Sequence, residues 1–153
     1  MQKITLVSIG HPKESWARDA SAFYAERLKH AIKFEVMDLP ASRETDPVRQ
    51  MEDESRRLLK FVADLDSDVW VLDERGSAMS SPAFAKVVAQ ARDAGRPMIF
   101  LLGGSYGLND AVRSAGRILR LSDMVLPHEL CRVVFLEQLY RALEINRGSG
   151  YHH

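Results

Sequence analysis

A chain of 153 residues is long enough for one domain that buries roughly 70% of the surface its unfolded form exposes. At 46% hydrophobic and 27% charged residues the composition is that of an ordinary globular protein, which excludes a disordered chain. Lysine plus arginine equals aspartate plus glutamate at 21 each, so the formal net charge is zero and the basic excess usual in nucleic-acid binders is absent.

The segment KITLVSIG (3–10) reads as a buried strand, rich in β-branched residues and closed by Gly10. Residues 14–32 follow as a helix, with Trp16, Ala20, Phe23, Tyr24 and Leu28 near helical spacing. KFEVMDLP (33–40) is a second strand, stopped by Pro40, and Asp46-Pro47 is an N-cap with proline at the first helical position of VRQMEDESRRLLKFVADL. DVWVLDERG (68–76) is a third strand, and Ser81-Pro82 repeats the cap before AFAKVVAQARDAG. RPMIFLLGG (96–104) is a fourth, with the unbroken apolar run of a strand covered on both faces. A short helix (109–115), a strand near 117–122 and a final helix over about 128–147 complete the pattern. This alternation predicts a single α/β domain over residues 1–153, a mainly parallel sheet flanked by helices. The apolar residues of the last helix, among them Leu130, Val133, Val134, Leu136 and Tyr140, spread round much of its circumference. Such a helix is buried on more than one side: homodimerisation is the simplest reading, and a wholly internal helix is the alternative.

A lone cysteine, Cys131, excludes an internal disulfide and suits a reducing compartment. The first residues lack the long apolar region of a signal peptide, and no stretch of about 20 apolar residues occurs. A cytoplasmic protein with no membrane partner is the expectation.

In open α/β sheets ligands bind beyond the carboxyl ends of the strands, here Asp73-Glu74, Gly103-Gly104 and Ser122-Asp123. The loop GGSYG has neither the lysine of a phosphate-binding P-loop nor the spacing of a dinucleotide fingerprint. On its own it is as consistent with a tight turn as with a ligand contact. His11 and His30 lie far apart and near no cysteine cluster, so no metal site is expected.

Three stretches together, LLGGSYGL, LSDMVLPHELCRVVFLEQLYRALEINRG and the closing YHH, are more specific. They resemble the SPOUT-class (α/β-knot) family that methylates N3 of a pseudouridine in large-subunit ribosomal RNA, and the resemblance extends over the whole chain. It implies a C-terminal trefoil knot, a homodimer, S-adenosylmethionine as methyl donor, no metal, and large-subunit rRNA in the ribosome as substrate. It further implies that Gly103 lets the backbone approach the cofactor beside Leu72. Ser122, Asp123, Met124, Val125, Leu126 and Pro127 then form the loop around the adenine and methionine parts.

The N3 position of a pseudouridine bears a proton at neutral pH, so some group must accept it or stabilise the developing anion. The candidates are Glu137, Tyr151 and His152, with Arg132 to bind phosphate or the uracil oxygens. Each has a plainer alternative. Glu137 can be a solvated residue of the helix's polar side, Arg132 can pair with Glu129, and Tyr151 and His152 can belong to a frayed end. His128 suits a helix start or the cofactor loop better than proton transfer. Arg56, Arg57 and Lys60 read as balancing Glu52, Asp53 and Glu54 on the same helix, with Arg43 on a nearby loop. The family commonly places Arg or Lys after Tyr-His, where this chain has His153. Two further functions stay open on the residues alone: a SPOUT enzyme acting on tRNA, and a non-enzymatic nucleotide-binding module.

Overall fold

The computed structural model describes all 153 residues. Ten elements alternate: β1 (Lys3–Ile9), α1 (Ser15–Lys29), β2 (Lys33–Leu39), α2 (Pro47–Val62), β3 (Asp68–Ala78), α3 (Ser81–Asp93), β4 (Met98–Leu102), α4 (Asp110–Arg113), β5 (Arg117–Arg120) and α5 (His128–Arg147). The strands form one sheet in the order β2-β1-β4-β3-β5, with every neighbouring pair parallel. This is the α/β fold expected from the alternating pattern. No helix is long and apolar enough to cross a membrane.

Side chains alternate across a strand, and the sheet divides its apolar residues accordingly. Ile4 and Leu6 of β1, Trp70 and Leu72 of β3, and Met98, Phe100 and Leu102 of β4 face α1, α3 and α5, where they meet Leu28, Phe84, Val88, Phe135, Leu136 and Leu139. Val7 and Ile9, Val71, Ile99 and Leu101 face α2 and α4, against Leu58, Val62 and Val112. Phe100 is the hub of the larger face, 4.6 Å from the Phe135 ring and 6.0 Å from Phe84, which meets it edge-on. Burying one such ring contributes about 1.5–3 kcal/mol.

Several boundaries differ from the sequence reading by a few residues, and three of the differences have a clear physical reason. The N-cap of α3 is Ser80, whose hydroxyl accepts from the Ala83 N–H, so Ser81 and Pro82 lie inside the first turn. β4 is shorter than 96–104, because backbone pairing stops at Leu102. β3 does not end at Gly76. Leu72 and Ser77 both pair with Leu119, so Asp73–Gly76 bulge out of the ladder before the strand resumes.

This bulge positions the site. Ser8, Leu102, Leu72 and Leu119 stand level across β1, β4, β3 and β5. Beyond them, three segments converge at the carboxyl edge of the sheet: the bulge, the glycine loop after β4, and the loop between β5 and α5.

Candidate active site

A cavity of about 710 Å³ opens at this edge. Its walls come from the β3 bulge (Leu72, Asp73, Glu74, Arg75), the glycine loop (Gly103 to Leu108), and the segment from Leu119 to Pro127 with His128 and Cys131 of α5. Seven of the eight candidate cofactor residues line it: Leu72, Gly103, Ser122, Met124, Val125, Leu126 and Pro127. Asp123 does not. It points outward, 85% exposed, and pairs with Arg120 at 2.9 Å. The Ser122 hydroxyl accepts from the Met124 N–H at 3.0 Å, which turns the loop locally. Met124 and Val125 are 80% and 75% exposed, a large apolar surface for a loop to leave in water.

The two glycines have reasons of their own. A Cβ on Gly103 would lie 2.7 Å from the Leu108 side chain, and one on Gly104 would lie 2.6 Å from Glu54 Oε1. Close approach is required here, and in both directions the neighbour is the protein's own side chain.

Arg113 is a wall residue that the sequence reading did not single out. Asp73 accepts from Arg113 Nε at 3.0 Å in a nearly buried pair, and Arg113 also reaches Asp110. Burial pushes the Cys131 thiol up to about 11, so at neutral pH it is an inert wall atom rather than a nucleophile. The Glu129 carboxyl takes the backbone N–H groups of Glu14 and Lys13, and those bonds hold it below the usual carboxylate range.

The candidate catalytic residues form two separate groups, and none of the four lines the cavity. Glu137 is not solvated. Its Oε1 accepts from Arg141 Nη2 at 2.7 Å, Arg141 Nε at 3.0 Å and the Tyr151 hydroxyl at 3.1 Å, while Oε2 accepts from Gln138. The tail is docked rather than frayed. Gly148, at φ +70°, ends α5 in a left-handed turn that returns the chain along the helix. Tyr151 then stacks on Tyr140 at 5.0 Å with Arg141 over its ring at 4.9 Å, and Arg141 Nη1 meets His152 Nδ1 at 3.2 Å. Burial first, and the Glu137 charge second, hold the Tyr151 phenol above its ordinary pKa. It is a proton donor to Glu137 at neutral pH. Glu137 in turn raises the basicity of Arg141. Arg141 is the organising cation that sequence reasoning missed, although its i,i+4 spacing from Glu137 was a usable signal.

Arg132 stands apart and does not pair with Glu129. It is buried, and its guanidinium meets Asp38 of β2 through Nη1 at 2.7 Å and Nη2 at 3.4 Å. His11 Nδ1 reaches the same carboxylate at 2.8 Å. The cations of α2 are engaged as expected in part: Arg56 and Arg57 pair with Asp53, while Glu54 is buried and takes no share in that surface balance.

A family model described as "Predicted SPOUT methyltransferase" matches residues 2–152. The chain is 36% identical over 153 residues to "Ribosomal RNA large subunit methyltransferase H" of Geobacter sp. (strain M21), covering 99% of each chain. It is 41% identical over 152 residues to the protein of that name in Desulfovibrio desulfuricans, covering 96% of this chain and 95% of the other. Among solved structures it resembles a putative methylase family protein from Neisseria gonorrhoeae, with TM-score 0.56 and 16% identity over 91% of this chain and 82% of that one. A probable rRNA-methyltransferase from Porphyromonas gingivalis gives TM-score 0.55 at 12% identity, covering 95% and 70%. At those identities the structures speak for the fold alone.

Proposed function

The chain belongs to the SPOUT methyltransferase family, and we propose that it is an rRNA methyltransferase that uses S-adenosylmethionine to methylate N3 of a pseudouridine in large-subunit ribosomal RNA. The observation that carries this reading is full-length identity of 36% and 41% to proteins named for large-subunit rRNA methylation. The cavity is consistent with it. Its volume lies within the range of about 300–1,000 Å³ usual for small-molecule sites. Its donor set, apolar walls from Leu72, Leu102, Leu119 and Leu126 beside loop backbone, suits an adenine and an aliphatic sulfonium chain. Leu72, Gly103 and the loop 122–127 would hold the cofactor, which when bound supplies a sulfonium methyl for in-line displacement.

This chain's own residues must then bind the acceptor and take its proton. Glu137 is the carboxylate for the N3 proton, held in place by Arg141 and by the protonated Tyr151. His152 and Arg141 offer the uracil oxygens and the adjoining phosphate a donor set. Arg132, engaged with Asp38, has the role of tying α5 to β2 rather than touching the substrate.

A homodimer makes the site whole. His128 and Cys131 line the cavity, whereas Glu137 lies nine and six residues further along α5, about 9–14 Å away at 1.5 Å per residue. A second copy packed on α5 would bring its own Glu137 and tail to this cavity. Trp16 and Phe23, 49% and 50% exposed on α1, and half-buried Leu130, Val133 and Val134 supply the apolar face. The same reading carries the C-terminal trefoil knot and a cytoplasmic location, where ribosomes are met. Sedimentation at micromolar concentration is expected to give twice the chain mass of 17.3 kDa. A monomer would remove the composite site.

The direct test is transfer of labelled methyl from S-adenosylmethionine to ribosomes from cells lacking this protein, followed by mapping of the labelled nucleotide. Label on a large-subunit pseudouridine is the expected result. Label on tRNA alone would keep the family and change the substrate, and no label on any RNA would overturn the reading.

A further inference from the structure

Glu54 is a residue that the reaction described above does not use, and it is costly to keep. It lies on α2 with 1% of its surface exposed, and no lysine, arginine or histidine pairs with it. Oε2 accepts one hydrogen bond, from the Ser42 N–H at 2.9 Å, and Oε1 has no hydrogen-bond partner. A buried carboxyl with one bond and no counter-charge is destabilising relative to a neutral side chain of the same size. Stability therefore gives no account of it.

Its position does. Oε1 is pressed against the backbone of Gly104, at the point where a Cβ would stand 2.6 Å away. Gly104 is part of the cavity wall, so Glu54 lies directly behind the floor of the site. The next residue of α2 holds the far end of the same loop, because Ser55 Oγ accepts from the Asn109 N–H at 3.0 Å. Glu52 takes the Asn109 side-chain amide at 3.0 Å. One turn of α2 thus grips the glycine loop at both ends, and Glu54 also ties in the 40–46 segment through Ser42.

We propose that Glu54 is a positioning residue of the cofactor site: its buried carboxyl, backed against Gly104, sets the depth of the glycine loop and through it the affinity for S-adenosylmethionine. This rests on the cofactor reading above. The glycine at 104 is then required by Glu54 behind the wall, not by the ligand in front of it. The two explanations differ in a measurable way.

The experiment is calorimetric binding of S-adenosylhomocysteine to the full-length protein, with thermal unfolding followed in parallel. Glu54→Gln keeps the shape and an acceptor for Ser42. It is expected to weaken binding by about tenfold, since displacement of a site by a fraction of an ångström is enough for that, while the melting temperature holds or rises. Gly104→Ala is expected to weaken binding by about tenfold or more in the unaltered chain and by less than about threefold in a Glu54→Ala background, where the added methyl has room. If Glu54→Gln binds as tightly as the unaltered protein, or if Gly104→Ala costs the same in both backgrounds, the role of Glu54 is overturned. If the unaltered protein binds no S-adenosylhomocysteine, the cofactor reading fails and this proposal fails with it.

Discussion

Glu137→Gln is expected to slow methyl transfer by about 10²–10⁴-fold while leaving the affinity for S-adenosylhomocysteine unchanged. The amide keeps the shape of the side chain and one acceptor for Arg141, but it cannot take a proton from the nucleobase. Because none of the four candidate catalytic residues lines the cavity, cofactor binding and proton removal are separable in this fold. Tyr151→Phe removes one donor to Glu137 at 3.1 Å and leaves the ring stacked on Tyr140, so about a tenfold loss is expected. The pH dependence has a definite sign. The Tyr151 pKa is raised by burial and by Glu137, so the phenol favours its protonated form in the folded state. Its contribution to tail docking is complete below the ordinary tyrosine value of about 10 and is lost as pH rises through the higher folded value. Tyrosinate absorbance followed with pH would show the late titration, and Glu137→Gln should bring it back toward the ordinary range. Transfer by Glu137→Gln at the unaltered rate would move the base elsewhere, with His152 the next group to test.

The features legible in the sequence were those that depend on neighbours along the chain. Asp46-Pro47 does open α2, with Asp46 accepting from the Arg49 N–H, because a cap is satisfied within three residues. The continuous apolar run of β4 did mean burial on both faces, since Met98 and Phe100 turn to one cluster while Ile99 and Leu101 turn to the other. What depends on distant residues was not legible. Arg132 was weighed against Glu129 because that partner was three residues away, whereas the true partner, Asp38, is 94 residues away on another strand. Glu54 read as one more surface acid, since nothing nearby announces that Gly104 will lie over it. The β3 bulge comes from two registers on a single residue of β5, a property of the pairing and not of either strand. The resemblance to a family reached the cavity loop and the tail, but not Arg141, which holds Glu137 and the tail together.

The second large effect concerns Arg132, and it separates support from catalysis. Arg132→Met is expected to destabilise the protein by about 3–5 kcal/mol, read as a lower urea midpoint at unchanged slope. The pair is buried, with 8% and 10% of the two side chains exposed, so removing the guanidinium strands the Asp38 carboxylate in a poorly solvated place. His11 is the nearest compensating group, at 2.8 Å, but 84% of its side chain is in water, which screens its contact with the carboxylate. Arg132→Lys recovers little, because one ammonium cannot reproduce a two-point contact with both carboxylate oxygens. Replacing both partners, Arg132→Met with Asp38→Leu, should restore most of the lost stability, since no charge is then left unpaired. A substrate-binding Arg132 gives the opposite pattern: Arg132→Met would fold with its stability intact and lose transfer, and the double variant would recover nothing. With Asp38 holding its guanidinium at 2.7 Å, the expected outcome is loss of stability, followed by loss of activity only as the fold fails.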